Sequence, residues 1–228
     1  MEKMLHEIIT ETNMDIASKI DHTILKPEVT INEIQQLCNE AMEFSFAAVC
    51  VPPMYVNEAK QFLAKSKVKV ATVVGFPLGY TNTLIKVSEA KKAIDDGATE
   101  LDMVMNISEL KNKQYKQVLD DIQSVTLMAH FHKTIVKVIL ETCLLTDEEI
   151  VRACELCEEA GVDFVKTSTG FSKAGATVEA VKLIRESLPK KIKVKASGGI
   201  RTKEFALQLI EAGADRLGTS SGISIIKE

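Results

Sequence analysis

A lysine set inside an apolar strand asks for a chemical explanation. In Asp163-Phe164-Val165-Lys166-Thr167-Ser168-Thr169-Gly170, a strand-prone run carries Lys166 just ahead of hydroxyls and a glycine. Burying an unpaired ammonium is costly, so this side chain must reach water, pair with a carboxylate or lose its proton. Loss of the proton makes it a nucleophile toward a carbonyl carbon. An ordinary lysine is neutral only about four times in ten thousand at pH 7, so its surroundings must lower its pKa for it to react.

Lys195, in Val194-Lys195-Ala196-Ser197-Gly198-Gly199, repeats the arrangement on what reads as the next strand. A nearby ammonium and partial burial both depress a lysine pKa. The plain alternative is two strand-end lysines reaching solvent; their adjacent strands, and the Ser and Gly after each, argue against it. Asp102, in Leu101-Asp102-Met103-Val104-Met105-Asn106, is either the counterion of a lysine or a group that moves protons, and the residue types leave both open. Lys137, in Val136-Lys137-Val138-Ile139, competes for the nucleophile role. No loop rich in hydroxyls and glycine follows it, so it reads as a supporting charge.

Gly170, Gly198, Gly199 and Gly218, with Ser220 and Ser221, follow the last three strands. Glycines let backbone N–H groups approach an anion, and barrels commonly hold phosphate in these loops; tight turns alone are the alternative. Ser220-Ser221-Gly222 would open a short last helix, whose positive end favours an anion. No metal is expected. His22 and His132 are isolated, and the pair Cys154 and Cys157 lies within an amphipathic helix, where packing explains it.

An internal repeat sets the level of these groups. Gly97-Ala98-Thr99-Glu100-Leu101-Asp102, Gly161-Val162-Asp163-Phe164-Val165-Lys166 and Gly213-Ala214-Asp215-Arg216-Leu217-Gly218 each run from a helix-ending glycine into a strand. Asp102, Lys166 and Gly218 are therefore equivalent positions on alternate strands, predicting an acid, a lysine and a gap in one layer.

The elements that must hold them alternate between short β-branched runs and helical patterns. A short helix over residues 13–20 leads into a first strand at 21–25; further strands are predicted at 47–51, 68–74, 101–105, 135–140, within the stretch 163–170, and at 193–196 and 216–219. Thr30, Thr146 and Thr202 are helix caps, and a longer, more polar helical region is predicted over roughly 108–128. Eight strands, each followed by a helical segment, in 228 residues define one (β/α)8 TIM barrel domain spanning residues 1–228. A doubly wound sheet would show fewer strands and a glycine-rich phosphate motif after the first, and none is present.

Composition narrows the setting. With 46% hydrophobic and 26% charged residues the chain is an ordinary globular protein. A net charge of −4 without basic runs predicts no nucleic-acid partner. No apolar run approaches the ~20 residues of a membrane span, and no signal core opens the sequence. Five irregularly spaced cysteines make no disulfide framework, so a cytoplasmic protein with reduced thiols is expected.

IDHTILK at the first strand, VVGFPLG after the third, LDMVMN at the fourth, VKVILET, DFVKTSTGF, VKASGGIRT and GTSSG occur in one order from Ile20 to Gly222. In this the sequence resembles the deoxyribose-phosphate aldolases, class I aldolases that cleave 2-deoxy-D-ribose 5-phosphate in deoxyribonucleotide catabolism. The resemblance implies that Lys166 is the Schiff-base lysine, that Lys195 lowers its pKa, and that Asp102 shuttles protons through a water. It implies phosphate binding by Gly170, Gly198, Gly199, Gly218, Ser220 and Ser221, and puts Asp21 and Thr23 near the site. No cofactor is implied, the partner is a small phosphorylated sugar, and a homo-oligomer (dimer or tetramer) is expected.

Two departures stand out. Some members carry a phosphate-assisting lysine where this sequence has Phe171, which leaves Lys173 or Arg201 as candidates for that contact. Some also end in a tail whose tyrosine is credited with proton transfer; this sequence stops at Glu228 without one. Rival readings are a sugar-phosphate isomerase or epimerase barrel, an aldolase for another phosphorylated ketose, and a non-enzymatic scaffold.

Overall fold

The computed structural model describes residues 16–228. The first three residues of the helix expected over residues 13–20 lie outside them; Ile16 and Ala17 are helical, and the chain enters the first strand at Ile20.

Eight parallel strands close a barrel in sequence order. They are β1 (Ile20–Thr23), β2 (Ala48–Val51), β3 (Lys69–Val74), β4 (Glu100–Val104), β5 (Ile135–Ile139), β6 (Phe164–Lys166), β7 (Lys193–Ser197) and β8 (Arg216–Thr219). The barrel class expected from the strand–helix alternation is therefore observed. Around it run α1 (Ile31–Glu43), α2 (Val56–Phe62), α3 (Thr83–Asp96), α4 (Ile107–Lys111), α5 (Tyr115–Phe131), α6 (Asp147–Glu159), α7 (Val178–Glu186), α8 (Lys203–Glu211) and α9 (Gly222–Lys227).

The caps are local chemistry. Thr30 and Thr146 each accept the N–H of a glutamate three residues on, whose carboxylate returns to the threonine N–H; Thr202 caps α8 through the Phe205 N–H. One expectation is refined. The helical region over 108–128 is two helices, α4 and α5, parted at residues 112–114, where Lys113 has φ 58°. The polar pattern runs through the break and hides it.

Strand side chains alternate in and out. On β2, Val49 and Val51 join the large apolar layer between barrel and helices, whereas Ala48 and Cys50 join a small cluster with Ala71 and Val73. One side of the interior is thus small and apolar, and the other is charged. Register aligns Asp102 with Lys137, Lys166 with Lys195, and Asp21 with Gly218. Lys86 of α3, wholly buried, donates from Nζ to the Val104 carbonyl at 3.0 Å and to Asp121 Oδ2 at 2.6 Å, fixing the end of β4 from outside.

Candidate active site

The charged side of the interior meets a cavity of about 380 Å³ at the C-terminal ends of the strands. Lys166, the last residue of β6, is 3% exposed and reaches its floor. Its Nζ donates to Asp102 Oδ2 at 2.6 Å, and Lys195 Nζ donates to the same oxygen at 2.7 Å. Lys195 also meets Asp21 Oδ2 at 2.5 Å, and Lys137 meets Asp102 Oδ1 at 3.0 Å and Glu100 Oε2 at 2.6 Å. Asp21, Asp102, Lys137 and Lys195 are all fully buried, and none of them lines the cavity. Of the three buried strand lysines, Lys166 alone does.

The layer read from the glycine repeat is present, with one refinement. Asp102 and Lys166 touch, but the gap at Gly218 is filled. A Cβ there would lie 2.9 Å from Ser197 Cβ and 3.1 Å from Lys195 Cε, so the missing side chain makes room for the stem of Lys195.

Electrostatics separate the lysines. Burial pushes Lys166 below the ordinary lysine range; Asp102 opposes this, and Lys195 adds to it. Burial acts the same way on Lys195 and Lys137, yet both end raised: Asp102 and Asp21 hold the first charged, Asp102 and Glu100 the second. Burial works to raise Asp102, but Lys137, Lys166 and Lys195 outweigh it and hold the carboxyl well below its usual range. Asp21 likewise falls to about 2, burial being outweighed by Lys195, Arg216 and Lys137. The resulting set is one loosely protonated amine at the cavity, an ionised acid against it, and fixed charges behind.

The rim differs in kind. Gly170, Gly198, Gly199, Gly218, Ser220 and Ser221 all line the cavity, as does Thr23 from β1. Gly198 has φ 86°, and a Cβ on it would lie 2.9 Å from Gly175 Cα, so the loops after β6 and β7 can touch only as glycines. Arg201 lines the cavity; Lys173 is exposed and does not, which leaves Arg201 as the candidate of the two. Phe171 instead sets its ring edge to face with Phe76, centroids 5.2 Å apart.

Several contributors escaped the sequence reading. Glu100 and Arg216 lie two residues before Asp102 and Gly218, so the period of two puts them on the same inward face. Lys26 of the IDHTILK run lines the cavity. Glu141, in the left-handed region at φ 58°, is 2% exposed; its carboxylate accepts the Thr169 hydroxyl and, at 3.3 Å, the Thr169 N–H. Thr169 Oγ1 then accepts the Phe171 N–H at 3.1 Å, which orders the loop carrying Gly170. An acid directly after a strand at this face was the only signal for it. Among the described residues, no group of three or more His, Cys, Asp or Glu could hold a metal ion, and no helix is long and apolar enough to cross a membrane.

A closed eight-stranded barrel with a lysine–carboxylate core opening at its C-terminal face is the design of a lyase-type barrel enzyme. The DeoC/LacD family aldolase model matches residues 15–228, and the chain belongs to that family. It is 57% identical over 216 residues to the deoxyribose-phosphate aldolase of Thermococcus gammatolerans, covering 94% of this chain and 96% of that one. Among solved structures it is similar to a putative deoxyribose-phosphate aldolase from Coccidioides immitis, with a TM-score of 0.91, 44% identity and coverage of 99% and 96%. It is also similar to a tetrameric deoxyribose phosphate aldolase from Aeropyrum pernix, with a TM-score of 0.89, 33% identity and coverage of 97% and 96%.

Proposed function

We propose that this aldolase reversibly cleaves 2-deoxy-D-ribose 5-phosphate to D-glyceraldehyde 3-phosphate and acetaldehyde, through a Schiff base on Lys166, in deoxyribose catabolism. The whole chain serves as one aldolase domain. The observation that carries the reading is the contact of Lys166 Nζ with Asp102 Oδ2 at 2.6 Å, at the floor of the cavity. The names of the relatives support the substrate.

Neutral Lys166 attacks the C1 aldehyde, and the carbinolamine loses water to give an iminium. Asp102, an ionised acceptor, and a water are the candidates to take the proton of the C3 hydroxyl as the C2–C3 bond breaks. The bonding pair moves into the iminium to form an enamine, and glyceraldehyde 3-phosphate leaves. Protonation of the enamine at C2 and hydrolysis release acetaldehyde and return the amine. Lys195 stays charged throughout and disfavours a second ammonium beside it. The phosphate is assigned to the rim of Gly170, Gly198, Gly199, Gly218, Ser220 and Ser221, with Arg201 supplying charge where Phe171 cannot. Asp21, Thr23 and Lys137 support the site.

The test is borohydride reduction in the presence of deoxyribose 5-phosphate, followed by peptide mass spectrometry, beside an assay for glyceraldehyde 3-phosphate. Wild type should release the product and carry the reduced adduct on Lys166, and Lys166→Met should lose at least about a thousandfold of turnover. Turnover without an adduct, or an equally active variant, removes the Schiff base from the reading.

A homo-oligomer in the cytoplasm completes the proposal. Exposed Leu78, Tyr80, Leu84 and Ile85 support association, and the unpaired cysteines support a reducing compartment. Light scattering that returns a monomer mass would remove the oligomer.

A further inference from the structure

Behind the reactive lysine lies a second tier of charge that the reaction does not touch. Arg216, opening β8, donates from Nε to Asp21 Oδ1 at 2.8 Å and from Nη2 to Glu100 Oε2 at 2.9 Å. Glu100, opening β4, also meets Lys137 Nζ. The Phe164 ring lies over the group, with Lys137 Nζ and Arg216 Cζ 5.9 and 6.0 Å from its centroid. Neither Glu100 nor Arg216 lines the cavity. Apolar side chains would fill this space at least as stably as buried ions, so the charges ask for another reason.

Counting gives one. Three carboxylates, Asp21, Glu100 and Asp102, face four basic groups, Lys137, Lys166, Lys195 and Arg216. Fully ionised, the cluster carries one positive charge too many. Lys137 contacts Glu100, Asp102 and, at 4.0 Å, Asp21; Lys195 contacts Asp21 and Asp102, and Arg216 contacts Asp21 and Glu100. Lys166 contacts Asp102 alone, and shares that oxygen with Lys195. The surplus proton is therefore held most weakly on Lys166.

We propose that Arg216 and Glu100 are opposed positioning residues that set the protonation of Lys166 from the far end of the barrel: Arg216 supplies the surplus charge that drives the proton off, and Glu100 limits it. Without Arg216 the count is three against three, and every lysine can stay charged. Without the Glu100 charge it is two against four, and the proton leaves more readily. The other groups around Lys166 do not alter the balance. Cys50 of β2 is a thiol pushed up to about 11 by burial and by Asp102, β3 offers only Ala71, Thr72 and Val73 at this depth, and Lys26 and Arg201 stand at the rim.

The inference rests on Lys166 being the nucleophile, and its test reads the amine directly rather than turnover. Acetic anhydride is reacted in competition with a reference amine across a pH series, and acetylation of Lys166 is followed by peptide mass spectrometry in the full chain. Relative to wild type, the midpoint should rise by roughly one unit in Arg216→Met and fall by about as much in Glu100→Gln. It should return near wild type in the double variant and stay there in Arg216→Lys, which keeps the charge. Midpoints that do not move, or that move the same way in both single variants, overturn the proposal. If Arg216→Met does not fold, Glu100→Gln decides alone: an unmoved or raised midpoint overturns it. A wild type that titrates as expected but releases no glyceraldehyde 3-phosphate would instead sink the aldolase reading.

Discussion

The floor and the rim of the cavity are built from opposite materials. At the floor, Asp21, Asp102, Lys137 and Lys195 are wholly buried, and each ion lies within 3.0 Å of an opposite one. At the rim stand glycines and hydroxyls, with Arg201 and Lys26 as the nearby cations. The difference follows from what each must do. A group that changes protonation during a reaction needs neighbours whose charge does not change, and burial among paired ions holds them fixed. A site that takes up and releases a phosphate needs donors that remain solvated when it is empty, and backbone N–H groups at glycine turns meet that need. The floor should therefore govern the chemical step and the rim the binding of substrate.

Asp102→Asn tests that division most severely. The floor loses the one carboxylate shared by three lysines, so the positive surplus grows and the proton on Lys166 is held less tightly. If Asp102 were only a counterion, the variant would keep or gain nucleophilic amine and turnover with it. As the proton carrier, its loss should lower kcat by about a hundredfold to ten-thousandfold while Lys166 is acetylated at lower pH than in wild type. The fold should also weaken, by about 3–5 kcal/mol, because buried ammonium groups lose their partner. Steady-state kinetics beside the acetylation midpoint decide the matter. Undiminished kcat would reduce Asp102 to a counterion.

How much of this could be read beforehand also divides along the floor and the rim. Lys166, Lys195 and Asp102 were legible because a charge inside an apolar strand violates the expected pattern, and the glycine repeat set the level of Lys166 and Asp102. Glu100 and Arg216 obey the same period of two but sit at strand entrances, where charge is ordinary, so nothing marked them as buried. Lys86 of α3 is fully buried against Asp121, a partner 35 residues away that no local pattern reveals. The rim glycines were legible as turns, but that Gly198 meets Gly175 depends on two loops folding toward each other. The break between α4 and α5 was invisible because both pieces share one polar pattern.

The smallest expected effect lies at the rim, in Arg201→Ala. On the proposed reading Arg201 supplies charge to a phosphate that never reacts, and it contributes equally in the ground state and the transition state. Loss of such uniform binding raises KM and leaves kcat alone. A hydrogen bond to a charged group is worth about 1.5–3 kcal/mol, which corresponds to a rise in KM of roughly tenfold to a hundredfold. With 2-deoxyribose, which lacks the phosphate, wild type and variant should have equal kcat/KM, since the missing guanidinium then has nothing to bind. A parallel fall in kcat, or an equal loss with the unphosphorylated sugar, would mean that Arg201 acts on the reacting carbons and that floor and rim are not separate.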